Sequence, residues 1–175
     1  MGKITKKDFK WLNKAVSTDD GRFNLSKVYC DGKNLVSTDG HRLHILNGVG
    51  KIFEVGHYNK NNKKVKFDWS FPDYHMVIPD KSKMDMYKFN IDALNKLGKK
   101  PNKTHKFEKI YSFYIQLPHQ KGTNYGFNFG YLKDALSGFN GDVFIYYSHN
   151  DEEMQILIES TGNKQAVIKP LKEEN

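Results

Sequence analysis

The apolar positions of this 175-residue chain switch between helical and strand spacing several times. Phe9, Leu12 and Val16 recur at helical spacing with Trp11 and Ala15 beside them, behind the capping-box-like start Thr5-Lys-Lys-Asp8. They predict a helix over residues 6–16 whose wet face carries Lys6, Lys7, Lys10 and Lys14. Residues 25–30 and 34–47 read as strands, with Asp31-Gly32 and Asp39-Gly40 supplying the backbone freedom that tight turns need. Val65, Phe67 and Trp69 alternate with Lys64, Lys66 and Asp68, the period of a strand with one buried face. Pro72 and Pro79 bracket a stretch, Phe71 to Pro79, that is expected to be an extended connector.

Asn90 is placed to cap a second helix carrying Ile91, Leu94 and Leu97 and closed by Gly98. Tyr111, Phe113, Ile115 and Leu117 alternate as a strand. A further helix over 129–138 follows Asn128, with Tyr131, Leu132, Ala135 and Leu136 as its stripe. Val143–Tyr147, Met154–Glu159 and Gln165–Ile168 complete the strands. The order of helix, strands, helix, strand, helix and three strands is that of an α+β protein. No fixed-period repeat stands out, though Phe89-Asn-Ile-Asp-Ala-Leu94 is loosely echoed by Phe127-Asn-Phe-Gly-Tyr-Leu132.

Hydrophobic residues at 38% and aromatic residues at 14% are too abundant for a wholly disordered chain. The formal charge is +8 and unevenly spread. Residues 141–175 hold seven acids against three lysines and carry −4, which leaves +12 on the first 140. Such a basic excess attracts phosphate backbones or acidic proteins without reading sequence. Cys30 is the single cysteine, which excludes an intramolecular disulfide or thiolate cluster and fits a reducing cytoplasm. No run of about 18 apolar residues occurs, so no membrane span is expected.

No phosphate-binding loop, zinc-binding His-Glu-x-x-His helix or nucleophile elbow is present. His41 and His44 lie three apart, and on a strand such positions face opposite sides, so a shared metal ion is not expected. No cofactor, metal or catalytic residue is assigned. A small hydrolase or nuclease using Asp39 and His41 stays open as a reading from another class.

Three segments far apart in sequence carry the strongest signal: Ser37-Thr-Asp-Gly-His-Arg-Leu43, Phe71-Pro-Asp-Tyr-His-Met-Val-Ile-Pro79 and Ala166-Val-Ile-Lys-Pro-Leu171. Together, and in this order, they resemble the bacterial replicative sliding clamp, the beta subunit of the polymerase holoenzyme. Phe127–Leu136 also looks like the helix of that family's last half-domain, and residues 4–45 like the opening half of its middle domain. The resemblance implies a DNA-clamp-like fold of repeated helix-plus-strands half-domains, with helices packed on antiparallel sheets. The expected division is a first half-domain over 1–70, a connector over 71–80, further half-domain sequence over 81–172 and a frayed tail at 173–175.

The resemblance also implies a peptide-binding pocket. Thr38, Gly40, His41, Arg42 and Leu43 would form its first wall, Pro72 and Val77 its second, and Val167, Pro170 and Leu171 its third. Polymerase or clamp-loader-type proteins would dock there through a short linear motif. Lys6, Lys7, Lys10, Lys14, Lys96, Lys99 and Lys100 would contact double-stranded DNA non-specifically, and several copies would be needed to close a ring around it. The alternative is a monomeric clamp mimic that keeps the pocket without encircling DNA. Where the family has an apolar Met, this chain has Lys169, which either reaches the pocket rim or marks a preference for an acidic peptide.

Overall fold

The structure, a computed structural model, describes residues 4–50, 52–91, 112–114, 126–147 and 155–170. Helix α1 spans Lys6–Leu12 and opens on the reciprocal capping box that Thr5 and Asp8 were expected to form. Strands β1 (Val28–Cys30), β2 (Leu35–Thr38), β3 (Arg42–Leu46), β4 (Gly56–Tyr58) and β5 (Lys64–Val65) follow. Next come β6 (Asp85–Asn90), β7 (Ser112–Tyr114) and β8 (Gly126–Asn128), then helix α2 (Phe129–Leu136) with Asn128 as its N-cap. Strands β9 (Asp142–Tyr147), β10 (Ile156–Glu159) and β11 (Lys164–Ile168) end the described chain.

Nine of these strands form one sheet, in the order β5-β4-β1-β2-β3-β11-β10-β9-β6, and every pairing in it is antiparallel. Strands β7 and β8 pair separately. The seam between β3 and β11 joins segments more than 100 residues apart, with Leu43 opposite Val167 and His44 opposite Ala166. Residues from both expected half-domains thus enter one continuous sheet.

Side chains alternate across this sheet as the two-residue period demands. Val28, Cys30, Leu35, Leu46, Val143, Ile145, Ile156, Ile158, Ala166 and Ile168 face one side, where Phe9, Trp11 and Leu12 of α1 and Leu132, Ala135 and Leu136 of α2 cover them. Val36, Leu43, Ile45, Leu157 and Val167 face the other side and form a smaller cluster beneath Phe71, Tyr74, Val77 and Ile78. The fold is therefore α+β, and among the described residues two helices lie on one face of an antiparallel sheet and an irregular strap crosses the other.

Trp11 joins the layers. Its indole Nε1 donates to the Ala135 carbonyl at 2.8 Å, and its ring stacks on His44 at 4.4 Å. A Cβ at position 138 would stand 2.3 Å from that nitrogen, so the loop after α2 can pass only with Gly138 there.

Polar side chains interrupt the apolar helix-facing side of β2 and β3 for a physical reason. A helix leaves its last carbonyls unpaired, and burying them unpaired is costly. Here Ser37 Oγ donates to the Leu12 carbonyl at 2.6 Å, His44 Nδ1 meets the Trp11 carbonyl at 3.0 Å, and Arg42 Nη2 donates to the Lys14 carbonyl. The Asn13 side-chain amide adds a second donor to the Phe9 carbonyl at 2.8 Å, beside its own backbone N–H.

Several expectations need correction. The helix over 6–16 ends at Leu12 and tightens to a 3₁₀ turn over Asn13–Ala15, where side chains of the sheet take the Trp11, Leu12 and Lys14 carbonyls that α-helical amides would have used. The strand over 25–30 starts only at Val28, because Asp20–Leu25 forms 3₁₀ turns capped by Asp19. The alternation from Val65 to Trp69 builds only the short edge strand β5; Trp69 is 58% exposed and stacks on Phe23. The strap is not extended throughout, since Asp73 accepts from the His75 amide and starts a 3₁₀ turn over Tyr74–Val77. The second helix beyond Ile91, most of the strand expected over 111–117, and the tail at 173–175 lie outside the described residues.

His44 carries a testable consequence. Its ring is fully buried, and burial, partly opposed by the Trp11 carbonyl, pushes its pKa from 6.5 to about 3. The unfolded chain binds this proton below pH 6.5 and the folded chain does not, so folding stability falls as pH drops from 6.5 towards 3. His57, also depressed by burial, acts in the same direction. Urea denaturation between pH 7 and 4 should show a slope of up to about 1.4 kcal/mol per pH unit from His44, to which His57 adds. In a His44→Phe variant, which keeps a ring against Trp11, most of that slope should vanish.

Candidate functional site

The turn joining β2 to β3 is built by its own side chains. The Asp39 carboxylate accepts from the amides of His41 at 3.0 Å and Arg42 at 3.1 Å. Thr38 Oγ1 accepts from the Gly40 amide at 3.0 Å and donates to the Arg42 carbonyl at 2.6 Å. Gly40 has φ +91°, a conformation that side-chain-bearing residues rarely adopt. The expected hairpin role of Asp39 and Gly40 is thus met, and β3 starts with its side chains set.

Arg42 and Leu43 then point to opposite faces. The Arg42 guanidinium goes to the helix side, where Nε donates to Asp39 at 3.0 Å and Nη1 to Asp134 of α2 at 2.7 Å. It also lies 4.4 Å over the Tyr131 ring. Burial alone would raise the Asp134 pKa, but hydrogen bonds from Arg42 and Lys14 outweigh it and hold the carboxyl below its ordinary value. Leu43 and Thr38 face the other side, beside Val167 across the seam.

The strap completes a concavity on that side. Leu25, Thr38, Gly40, His41, Arg42, Leu43, Pro72, Asp73, Tyr74, Val77, Gln155, Val167 and Lys169 line a cavity of about 150 Å³. That is the size class of a cavity able to hold a benzene-sized apolar group. Eight of the expected pocket residues meet here: Thr38, Gly40, His41, Arg42, Leu43, Pro72, Val77 and Val167. Pro170 is half-buried and off the lining, and Leu171 lies outside the described residues. Arg42 contributes its place in the wall, while its charge is spent on the helix side.

Sequence reasoning passed over Leu25, Tyr74 and Gln155. Tyr74 lay within the quoted connector segment, but its role depends on a turn that the bracketing prolines do not announce. Its hydroxyl donates to Asp31 at 2.5 Å and accepts from the Asn34 amide at 3.1 Å. Burial first, then the Asp31 carboxylate, raise the Tyr74 pKa, so it stays a neutral donor. Asp31 also fixes the turn between β1 and β2 by accepting from the amides of Lys33 and Asn34. One ring thus ties the strap to the sheet. Leu25 reaches the cavity through a 3₁₀ turn that has no periodic signature, and Gln155 through its place just before β10, inside the strand expected over Met154–Glu159.

No protein-family model and no curated protein sequence matches the chain. Solved structures do. The beta sliding clamp of Caulobacter crescentus superposes with a TM-score of 0.68 at 18% identity, covering 97% of this chain and 64% of the clamp. DNA polymerase III subunit beta from Borrelia burgdorferi, solved with a natural product, gives 0.65 at 18% identity over 98% of this chain and 64% of its own. The sliding clamp of Bartonella birtlesii, solved bound to griselimycin, gives 0.64 at 19% identity over 95% and 64%. The chain carries the sliding-clamp fold. It spans about 64% of the length of these clamps.

On this clamp fold, Lys6, Lys7 and Lys10 are exposed along α1. Lys14 is half-buried, pairs with Asp134 at 3.0 Å and donates to Ser137 at 2.9 Å. Lys96, Lys99 and Lys100 lie outside the described residues. Among the described residues no group of three or more His, Cys, Asp or Glu could hold a metal ion, and no helix is long and apolar enough to cross a membrane. The Asp39 carboxylate is taken up by backbone amides and Arg42, and His41 stacks over Tyr131 at 6.2 Å. The two form a braced turn and not the acid–base pair a hydrolase would need.

The latch at Tyr74 predicts a measurable loss. Tyr74→Phe removes the hydrogen bond to the Asp31 carboxylate, worth about 1.5–3 kcal/mol, together with the weaker one from the Asn34 amide, and some of that is recovered because Asp31 is partly open to water and still accepts from Asn34. Stability should fall by about 1–2 kcal/mol in chemical denaturation. Amides of the strap should exchange faster in hydrogen–deuterium exchange while those of β9 and β10 stay unchanged.

Proposed function

We propose that this protein is a clamp-fold docking module that captures a short, apolar-anchored peptide from replication proteins in its outer-face pocket. The observation that carries the reading is the convergence of three distant segments on one cavity beside the β3–β11 seam. Its floor is apolar, from Leu43 and Val167, and its walls offer polar groups from Thr38, the Gly40 turn and Gln155. A concave apolar surface with a few fixed polar groups suits a peptide anchored by Leu or Phe, while the flat helix side does not. The work is binding without chemistry, and the pocket operates in a single copy, as the monomeric clamp mimic requires.

A synthetic peptide with a Leu-Phe anchor, labelled with a fluorophore, should bind with a micromolar-range Kd and be displaced by excess unlabelled peptide. Val77 sits half-buried on the strap wall, so Val77→Asp places a carboxylate in the cavity without emptying the core. It should weaken binding at least tenfold in fluorescence anisotropy, with unchanged thermal stability of the sheet. Equal affinity in the variant would reject the pocket as the docking site.

A ring of several copies around double-stranded DNA is the second reading, and the exposed Lys6, Lys7 and Lys10 of α1 favour it, since phosphate contacts without base contacts permit sliding. Light scattering after size exclusion discriminates. An oligomer retained on circular DNA and released when the circle is cut supports the ring, and a monomer indifferent to DNA supports the docking module alone.

A further inference from the structure

The mouth of the pocket is electrically lopsided. Lys169 lines it just past the end of β11, where its amide donates to the His41 carbonyl at 2.9 Å and so fixes the residue beside the turn. Its side chain is exposed, and its ammonium has no hydrogen bond or ion pair among the described residues. The neighbouring cations are already committed. Arg42 serves Asp39 and Asp134, while Arg22 pairs with Asp19 and donates to the Asp39 carbonyl. The acidic residue of the lining, Asp73, stands on the strap, holds the amide and ring of His75 at 3.0 Å each, and makes no ion pair with Lys169. Glu159, on the same face of the sheet, is bound by Lys81.

We propose that Lys169 is a specificity-determining residue of the pocket, selecting peptides that carry Asp or Glu next to their apolar anchor. The proposal rests on the docking reading given above. An anchor side chain that fills the cavity displaces water from its mouth and brings its neighbouring residue to the rim. There a carboxylate meets an ammonium that has no partner among the described residues at the β11 end, while Asp73 repels it from the strap end, so the same two charges also fix the direction in which the peptide lies. An exposed ion pair adds little to affinity, but a like charge at the same place subtracts a similar amount, and selectivity is the difference between the two.

The test uses three labelled peptides that share a Leu-Phe anchor and differ only in an adjacent Glu, Gln or Lys, titrated into the wild type and a Lys169→Glu variant. In the wild type the Glu peptide should bind about three- to tenfold tighter than the Lys peptide, with Gln between them, and the gap should shrink with added salt. Lys169→Glu should invert the order. Equal binding of all three peptides by both proteins, with Val77→Asp still weakening it at least tenfold, would overturn the charge selection while leaving the docking reading intact. Failure of every peptide to bind the wild type would overturn both.

Discussion

The structure depends on how the carbonyl end of α1 is satisfied. Ser37, Arg42 and His44 reach up from the sheet to the carbonyls of Leu12, Lys14 and Trp11, and none can do so unless it faces the helices. Strand side chains alternate, and a slip of one residue would turn each of them to the wrong face and leave buried carbonyls without donors. The same requirement therefore sends Thr38 and Leu43 to the opposite side. Buried polar pairing on one face sets the register, and the register builds the pocket on the other.

This division explains how one short segment serves two faces of the sheet. Residues 37 to 44 are split by face: Ser37, Arg42 and His44 hold α1 and, through Asp134, α2, while Thr38 and Leu43 lie on the side of Val167 across the seam. The cavity forms where the strap, latched by Tyr74 to Asp31, passes over this outward set. The sheet supplies its floor, and the strap, held by its own separate attachment, supplies its wall.

Much of this was legible in the sequence, for identifiable reasons. The capping box at Thr5, the Asn128 cap, the alternation from Val143 to Tyr147 and the Asp39-Gly40 turn are local signals, and the structure carries each of them. What resisted reading was set by partners distant in the chain. The alternation around Phe67 and Trp69 promised a longer strand, but beyond Val65 no neighbour continues that edge. Nothing local shows that Arg42 would spend its charge on α2, because Asp134 lies 92 residues away. For the cavity, eight residues named from the resemblance line it, with Val167 alone from the third expected wall, whereas Tyr74 enters through a turn that the sequence does not announce.

The central claim is that a peptide seats on the outer face of the sheet, between the β3–β11 seam and the strap. The most direct measurement is a nuclear magnetic resonance titration with an unlabelled Leu-Phe peptide, following backbone amides residue by residue. Shifts concentrated at Thr38, His41, Leu43, Val77, Val167 and Lys169, with Lys6, Lys7 and Lys10 unmoved, are the result this account requires. Shifts confined to α1, or spread without focus over the surface, would contradict it.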